Sequence, residues 1–303
     1  MKIVLNVMLM VILGCTPWLA QATLKVVTST EDIAALTQAI GGTAVSVKAL
    51  TRGTADPHFA QAKPSMIRDV YQADLLIVVG ADLEIGWMPP LLQAARNSRV
   101  QPGNEGYLDL SAVIRLMDKS AGPVTRDMGD VHAAGNPHYW LDPDNGILMA
   151  RAISQRLGQL DNAHALQFEQ RLASFEQQAQ GKIAQWKAAL APMVGKAVVS
   201  YHTSLAYLAH AFGFRVVAHV EPKPGIAPSA AHLSQLIAQI KEQKADVLIM
   251  EPYYEQRSAR YLAEHAGVRV VVIPQSVGAS PEIRTYFDLF EGIVTAFKQA
   301  GVV

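Results

Sequence analysis

Short apolar runs recur along this chain, separated by amphipathic stretches, and that alternation most limits what it can fold into. Ala73-Asp74-Leu75-Leu76-Ile77-Val78-Val79-Gly80, Asp246-Val247-Leu248-Ile249-Met250 and Arg269-Val270-Val271-Val272-Ile273 are apolar almost throughout. Strands covered on both faces have that composition. Leu24–Ser29 and Val45–Leu50 read as two more strands. Between them Ile33, Leu36 and Ile40 recur at helical spacing, and Gly41-Gly42 ends the helix. Thr28-Ser29-Thr30-Glu31 has the Thr-x-x-Glu form of a capping box at its start. Ser65 is expected to cap a further helix running through Ile67 and Val70 to Tyr71. After Trp87 the pattern is hard to read until Tyr107-Leu108-Asp109-Leu110. Strands alternating with helices in this way predict parallel sheet with helices on both faces.

The alternation is interrupted once. From Ala163 to Ala191 the chain is amphipathic and free of proline, with Leu166, Phe168, Leu172, Phe175, Ile183, Trp186 and Leu190 as apolar positions. A helix of that length spans roughly 40 Å, long for a small domain and suited to joining two lobes. The apolar spacing does not hold the strict heptad of a coiled coil. Beyond it the alternation resumes: Lys196–Ser200 and Arg215–Val220 read as strands, with a helix from His202 to Phe212 stopped by Gly213. Ser229 starts the helix of Leu233, Leu236, Ile237 and Ile240. The fold expected is α/β, two Rossmann-like lobes, each a mostly parallel sheet flanked by helices, joined by one long backbone helix. The divisions are residues 1–22 (a leader), 23–162 (first lobe), 163–191 (helix) and 192–303 (second lobe).

The leader is read from residue order. Lys2 precedes an apolar run from Ile3 to Leu13, and Ala20-Gln21-Ala22 follows, the form of a secretory signal cleaved after Ala22. The alternative is lipid attachment at Cys15, although Leu13 before Gly14 suits that processing poorly. Cys15 is the only cysteine, so a chain cleaved after Ala22 has no thiolate to offer a metal. With 26 basic and 26 acidic residues there is no electrostatic footprint for nucleic acid.

Histidine is then the candidate ligand. Open parallel sheets bind beyond the carboxyl ends of their strands, and three histidines lie in such loops. His58 follows the second strand in Asp56-Pro57-His58, and His202 lies two residues past Ser200. His138 sits in Gly135-Asn136-Pro137-His138-Tyr139-Trp140-Leu141-Asp142-Pro143, where the two prolines bias Asn136 and Asp142 away from helix. Three imidazoles with one further position suit Zn²⁺. The same trio is also a hydrolase's zinc shell, but the sequence has no His-Glu-x-x-His. An enzyme is therefore not the reading adopted, and a binder of an organic solute or metal chelate is the other rival.

Asp56-Pro57-His58, Asn136 to Pro143 and Ser200-Tyr201-His202-Thr203 resemble, in order and setting, the zinc and manganese solute-binding proteins of ABC importers. With the secretion signal, the long helix and the two lobes, the resemblance spans nearly the whole chain. It implies periplasmic capture of a divalent cation in the interlobe cleft and delivery to a membrane permease with its ATPase, by a monomer. Carried over, His58, His138 and His202 are the metal ligands. Manganese-type relatives tend to carry glutamate where His202 stands, which favours Zn²⁺ over Mn²⁺ or Fe²⁺ here. Many relatives place an aspartate after the last strand of the second lobe, where this chain has Gln275. The fourth position is therefore expected to go to water or to a carboxylate, with Glu221 and Glu251 the nearest candidates at strand ends. Zinc-type relatives often carry a loop rich in histidine and acid before the second ligand. Asp127-Met128-Gly129-Asp130-Val131-His132 is a vestige of it, with His132 as an accessory metal-recruiting residue.

Overall fold

The computed structural model describes residues 23–120, 122, 129 and 131–303. The expected leader, its Cys15 alternative and most of the acidic stretch before His132 lie outside the described residues. In the first half β1 (Leu24–Thr28), α1 (Glu31–Gly41), β2 (Val45–Ala49), α2 (Pro64–Gln72), β3 (Leu75–Val78), α3 (Met88–Ala95) and β4 (Tyr107–Asp109) follow one another. Then come α4 (Pro143–Leu160) and α5 (Ala165–Ala189). The second half holds β5 (Ala197–Ser200), α6 (Ala206–Phe212), β6 (Arg215–His219), α7 (Ala230–Gln243), β7 (Val247–Met250), α8 (Gln256–Ala266), β8 (Arg269–Val272) and α9 (Tyr286–Gln299).

The strands form two parallel four-stranded sheets, ordered β2-β1-β3-β4 and β6-β5-β7-β8. Thr28 stands opposite Ala49 on one side and Ile77 on the other, and Ser200 stands opposite His219 and Ile249. Strand order reverses direction beside β1 in one sheet and beside β5 in the other, so each lobe has its crevice at the carboxyl ends of those central strands. Of the three continuously apolar strands, β3 and β7 are buried at every residue, whereas β8, at the edge of its sheet, leaves Arg269 and Val272 exposed.

The long helix α5 covers 25 residues, about 38 Å at 1.5 Å per residue. Its buried positions Phe168, Phe175, Ala179, Ile183 and Trp186 face one core. That core is continuous between the lobes, running from Val26 and Leu36 through Trp186 to Val198 and Phe297. Trp186 stacks on Phe290 of α9, with ring centroids 4.9 Å apart, and Phe175 stacks on Phe287 at the same distance. Relative movement of the lobes would have to disturb this packing, which confines it to small amplitudes.

Local departures from expectation have physical causes. Thr30, not Thr28, precedes α1 and makes no side-chain cap; the Thr28 hydroxyl instead donates to the Thr30 carbonyl at 2.8 Å. A capping box is formed instead by Thr285 with Asp288, at the start of α9. The stretch after Trp87 contains α3, hidden in the sequence by Pro89-Pro90. Proline is tolerated there because a helix's first turn needs no amide donors.

Candidate metal centre

His58, His138 and His202 converge in the cleft between the sheets, one ring nitrogen of each lying within 4.8 Å of the others. Their ring centroids are 5.1 Å (His58–His138), 5.5 Å (His58–His202) and 5.3 Å (His138–His202) apart. Each arrives by a loop at a strand's carboxyl end. His58 occupies a 3-10 turn, Pro57–Phe59, capped by Asp56. His138 immediately precedes another, Tyr139–Leu141. Its aromatics fix that loop: Tyr139 donates to the Val79 carbonyl at 2.5 Å and Trp140 to the Gln275 carbonyl at 2.8 Å. His202 precedes the turn Thr203–Leu205, and the Ser200 hydroxyl donates to its carbonyl.

All three rings are oriented by an acceptor on Nδ1. The Asp56 carboxylate takes His58 Nδ1 at 2.7 Å and the His58 amide at 2.9 Å through one oxygen. Asn136 Oδ1 does the same for His138, at 2.9 Å to Nδ1 and 3.0 Å to the amide. Glu221 takes His202 Nδ1 at 2.7 Å. With its proton held on Nδ1, each imidazole presents the Nε2 lone pair, the usual way proteins fix a metal-binding histidine. The Nε2 of His202 is fully buried and has no protein partner, which costs stability unless something is bound there.

Two of these acceptors open the same x-Pro-His pattern. Asp56-Pro57-His58 and Asn136-Pro137-His138 each place a side-chain oxygen two residues before the histidine. The repeat is legible in the sequence, whereas the orienting role of Asp56 and Asn136 depends on the folded loops that turn their oxygens onto Nδ1. Asn136 also ties the lobes together, its amide donating to the Thr203 carbonyl at 2.7 Å.

Electrostatics separate the rings. Burial, reinforced by His58 and His202, pushes the His138 imidazolium well below its ordinary range, so this ring is neutral. Burial acts the same way on His202, but the hydrogen bond and charge of Glu221 outweigh it and raise its pKa. Burial also opposes the Asp56 charge, and the bonds from His58 overcome it, holding that carboxyl below the usual range.

The accessory candidates fall in different places. His132 brings Nε2 to 3.2 Å from His58 Nε2, and its ring is hydrogen-bonded to the backbone of Asp82. Asp82 has φ +65° and follows Ala81 at +49° and Gly80 at +74°. Burial and the neighbouring histidines push the His132 pKa down to about 4. Glu221 is engaged with His202 and with the Gly225 amide, at 3.0 Å. One oxygen of buried Glu251 accepts from Ser204, while the other has no partner. Burial raises the Glu251 pKa to about 7. Gln275 is buried, its side-chain oxygen accepting from Tyr253. Among the described residues the only histidine, cysteine or carboxylate group of three or more at metal-binding spacing is His58, His138 and His202. His219 shares a cavity of about 430 Å³ with His132, Asn136 and Thr203.

Comparison with known proteins places the chain in a family. The high-affinity zinc uptake system protein ZnuA of Yersinia pestis is 27% identical over 264 residues, covering 82% of this chain and 81% of that protein. The protein of the same description from Paracoccus denitrificans is 26% identical over 295 residues, covering 89% of each. A crystal structure of ZnuA superposes with a TM-score of 0.75 at 23% identity, covering 93% of this chain and 99% of that one, which shows a shared fold. Residues 26–300 match the family described as zinc-uptake complex component A, periplasmic, so the chain belongs to that family.

Proposed function

We propose that this protein captures Zn²⁺ between its lobes with high affinity and delivers it to the membrane permease of an ABC importer. The single observation that carries the reading is the convergence of His58, His138 and His202 with an acceptor on every Nδ1. A set of nitrogen donors favours Zn²⁺ over Mn²⁺, which prefers oxygen-rich sites. The names of the relatives support the same cargo. Zinc is the transported ion here, so the site needs affinity and release and no general base.

For the fourth position the nearest further imidazole is His132, which approaches His58 without belonging to the three whose ring nitrogens all lie within 4.8 Å of one another. Zinc–nitrogen bonds of 2.0–2.1 Å in a tetrahedron put neighbouring nitrogens about 3.3 Å apart, and His132 Nε2 is 3.2 Å from His58 Nε2. Gln275 and Glu221 are committed to Tyr253 and to His202 with Gly225. His58, His132 and His138 come from the first half of the chain and His202 from the second, so bound metal favours the closed arrangement of the lobes. The lobes correspond to residues 23–162 and 192–303, and the site works in the periplasm, to which the expected leader would direct it.

Competitive metal titration with elemental analysis of the purified protein tests this. One Zn²⁺ per chain should bind in preference to Mn²⁺, and His202→Ala should weaken binding by orders of magnitude without loss of fold. Equal affinity for the two metals, or an unaffected His202→Ala variant, would refute the reading.

A further inference from the structure

Glu221 uses a single carboxylate oxygen for two donors. Its Oε2 accepts from His202 Nδ1 at 2.7 Å and from the Gly225 amide at 3.0 Å. Glu221 itself is held by strand-like pairing, its amide donating to the Tyr201 carbonyl at 3.1 Å, so its own backbone is fixed. Gly225 belongs to the segment Pro222-Lys223-Pro224-Gly225-Ile226-Ala227-Pro228, which is mostly exposed and includes Ile226 at 48% exposure.

Three prolines leave this segment few conformations, so moving one point of it moves the whole. Gly225 has φ +76°, the left-handed region glycine enters without strain, and that turns its amide toward Glu221. The Ile226 amide closes the turn on the Lys223 carbonyl at 3.0 Å. The other side of the segment meets the first lobe. A Cβ on Gly129 would stand 2.2 Å from the Pro224 carbonyl oxygen, so the two backbones touch three residues before His132. The loop therefore touches the support of His202 on one side and the chain three residues before His132 on the other.

We propose that Glu221 is a positioning residue that transmits the state of His202 to the 222–228 loop, so that an exposed surface is ordered by metal and loosened without it. The inference rests on zinc binding through His202, as argued above. Metal on Nε2 withdraws electron density from the imidazole and makes Nδ1–H a stronger donor to the carboxylate. It also fixes the ring's rotation. Both effects pin Oε2, and the Gly225 amide bonds to that same atom. The loop thus becomes a signal of loading that a membrane partner can read without contacting the metal.

Amide hydrogen exchange of peptides covering residues 219–229, with and without Zn²⁺, tests the coupling in the intact protein. In the wild type, zinc should slow exchange at Gly225 and Ile226 by about tenfold or more. Glu221→Ala, saturated with zinc as verified by calorimetry, should show less than about twofold change there, with affinity reduced by about 10–100-fold. Glu221→Gln keeps an acceptor oxygen in place and should recover part of the response, which a merely structural role would not require. A wild type that binds zinc with no change in loop exchange overturns the proposal alone. So does Glu221→Ala with a loop response equal to wild type. A wild type that binds no zinc overturns the functional reading and this inference with it.

Discussion

Truncating Asp56 isolates the orientation of one ring from its presence. Asp56 touches no metal position; its Oδ1 holds His58 Nδ1 at 2.7 Å and the His58 amide at 2.9 Å. In Asp56→Ala nothing keeps the proton on Nδ1, so Nε2 loses its assignment as the lone pair facing His138 and His202. The turn Pro57–Phe59 also loses its cap. Losing such an orienting partner costs 10–100-fold in metal affinity, or about 1.4–2.7 kcal/mol. The chain contains its own control. Asn136 serves His138 with a neutral amide at 2.9 Å, so Asp56→Asn should retain affinity within severalfold of wild type. Competition against a chromophoric chelator at pH 7.5 measures both, with thermal melts to confirm folding. Wild-type affinity in Asp56→Ala would refute the orientation argument. Asp56→Asn as damaged as Asp56→Ala would show that the charge matters and the placement does not.

Proton competition gives a second expectation. Glu221 raises the His202 pKa, so metal must displace a proton from that ring below the raised value, and log affinity should fall by about one per pH unit from this residue. Burial and the neighbouring histidines hold His132 at about 4, so it adds nothing to the slope above pH 5, and burial lowers His138 in the same direction. Calorimetry from pH 8 to 5 reads it, and a flat profile would contradict it. His132→Ala should weaken zinc binding less than His202→Ala does, read in the same titration; an effect below twofold would remove His132 from the site. Stability should respond at Asp32, whose buried carboxylate accepts from Ser276 at 2.5 Å and from the Val277 amide at 2.9 Å, across the lobes. Burial raises its pKa from 3.8 to about 7. The folded state therefore keeps the proton longer than the unfolded state, and this group's stabilisation, complete below pH 4, is lost as pH rises through 7. Asp32→Asn should recover up to about 4 kcal/mol at pH 8 and flatten the dependence between. Denaturant titrations at pH 5 and 8 that show equal stability changes would contradict this.

The fold was legible because each lobe has central strands buried on both faces, and such strands announce themselves by composition alone. Val247–Met250 and Leu75–Val78 are examples. Helices were harder where local rules mislead: Pro89-Pro90 masks α3, and Thr28 spends its hydroxyl on the turn after β1 instead of on the helix. Of the site, the histidines in strand-end loops could be picked out, since topology brings such loops together. His132 could be flagged only as an accessory. What aims its ring is the Asp82 backbone in a run of three residues with positive φ, two of them not glycine, and no residue pattern around His132 encodes that. Gln275 stood out by departing from a carboxylate pattern, but its bond to Tyr253 required the three-dimensional structure.

The central claim is that zinc is held by the Nε2 atoms of His58, His138 and His202, each steadied through Nδ1. A crystal structure of the zinc-loaded protein, with the metal located by anomalous scattering, tests it most directly. The expected result is one zinc in the interlobe cleft with these three nitrogens at 2.0–2.1 Å and His132 in the remaining position. A zinc bound through Nδ1, or bound without any one of these three histidines, would contradict it.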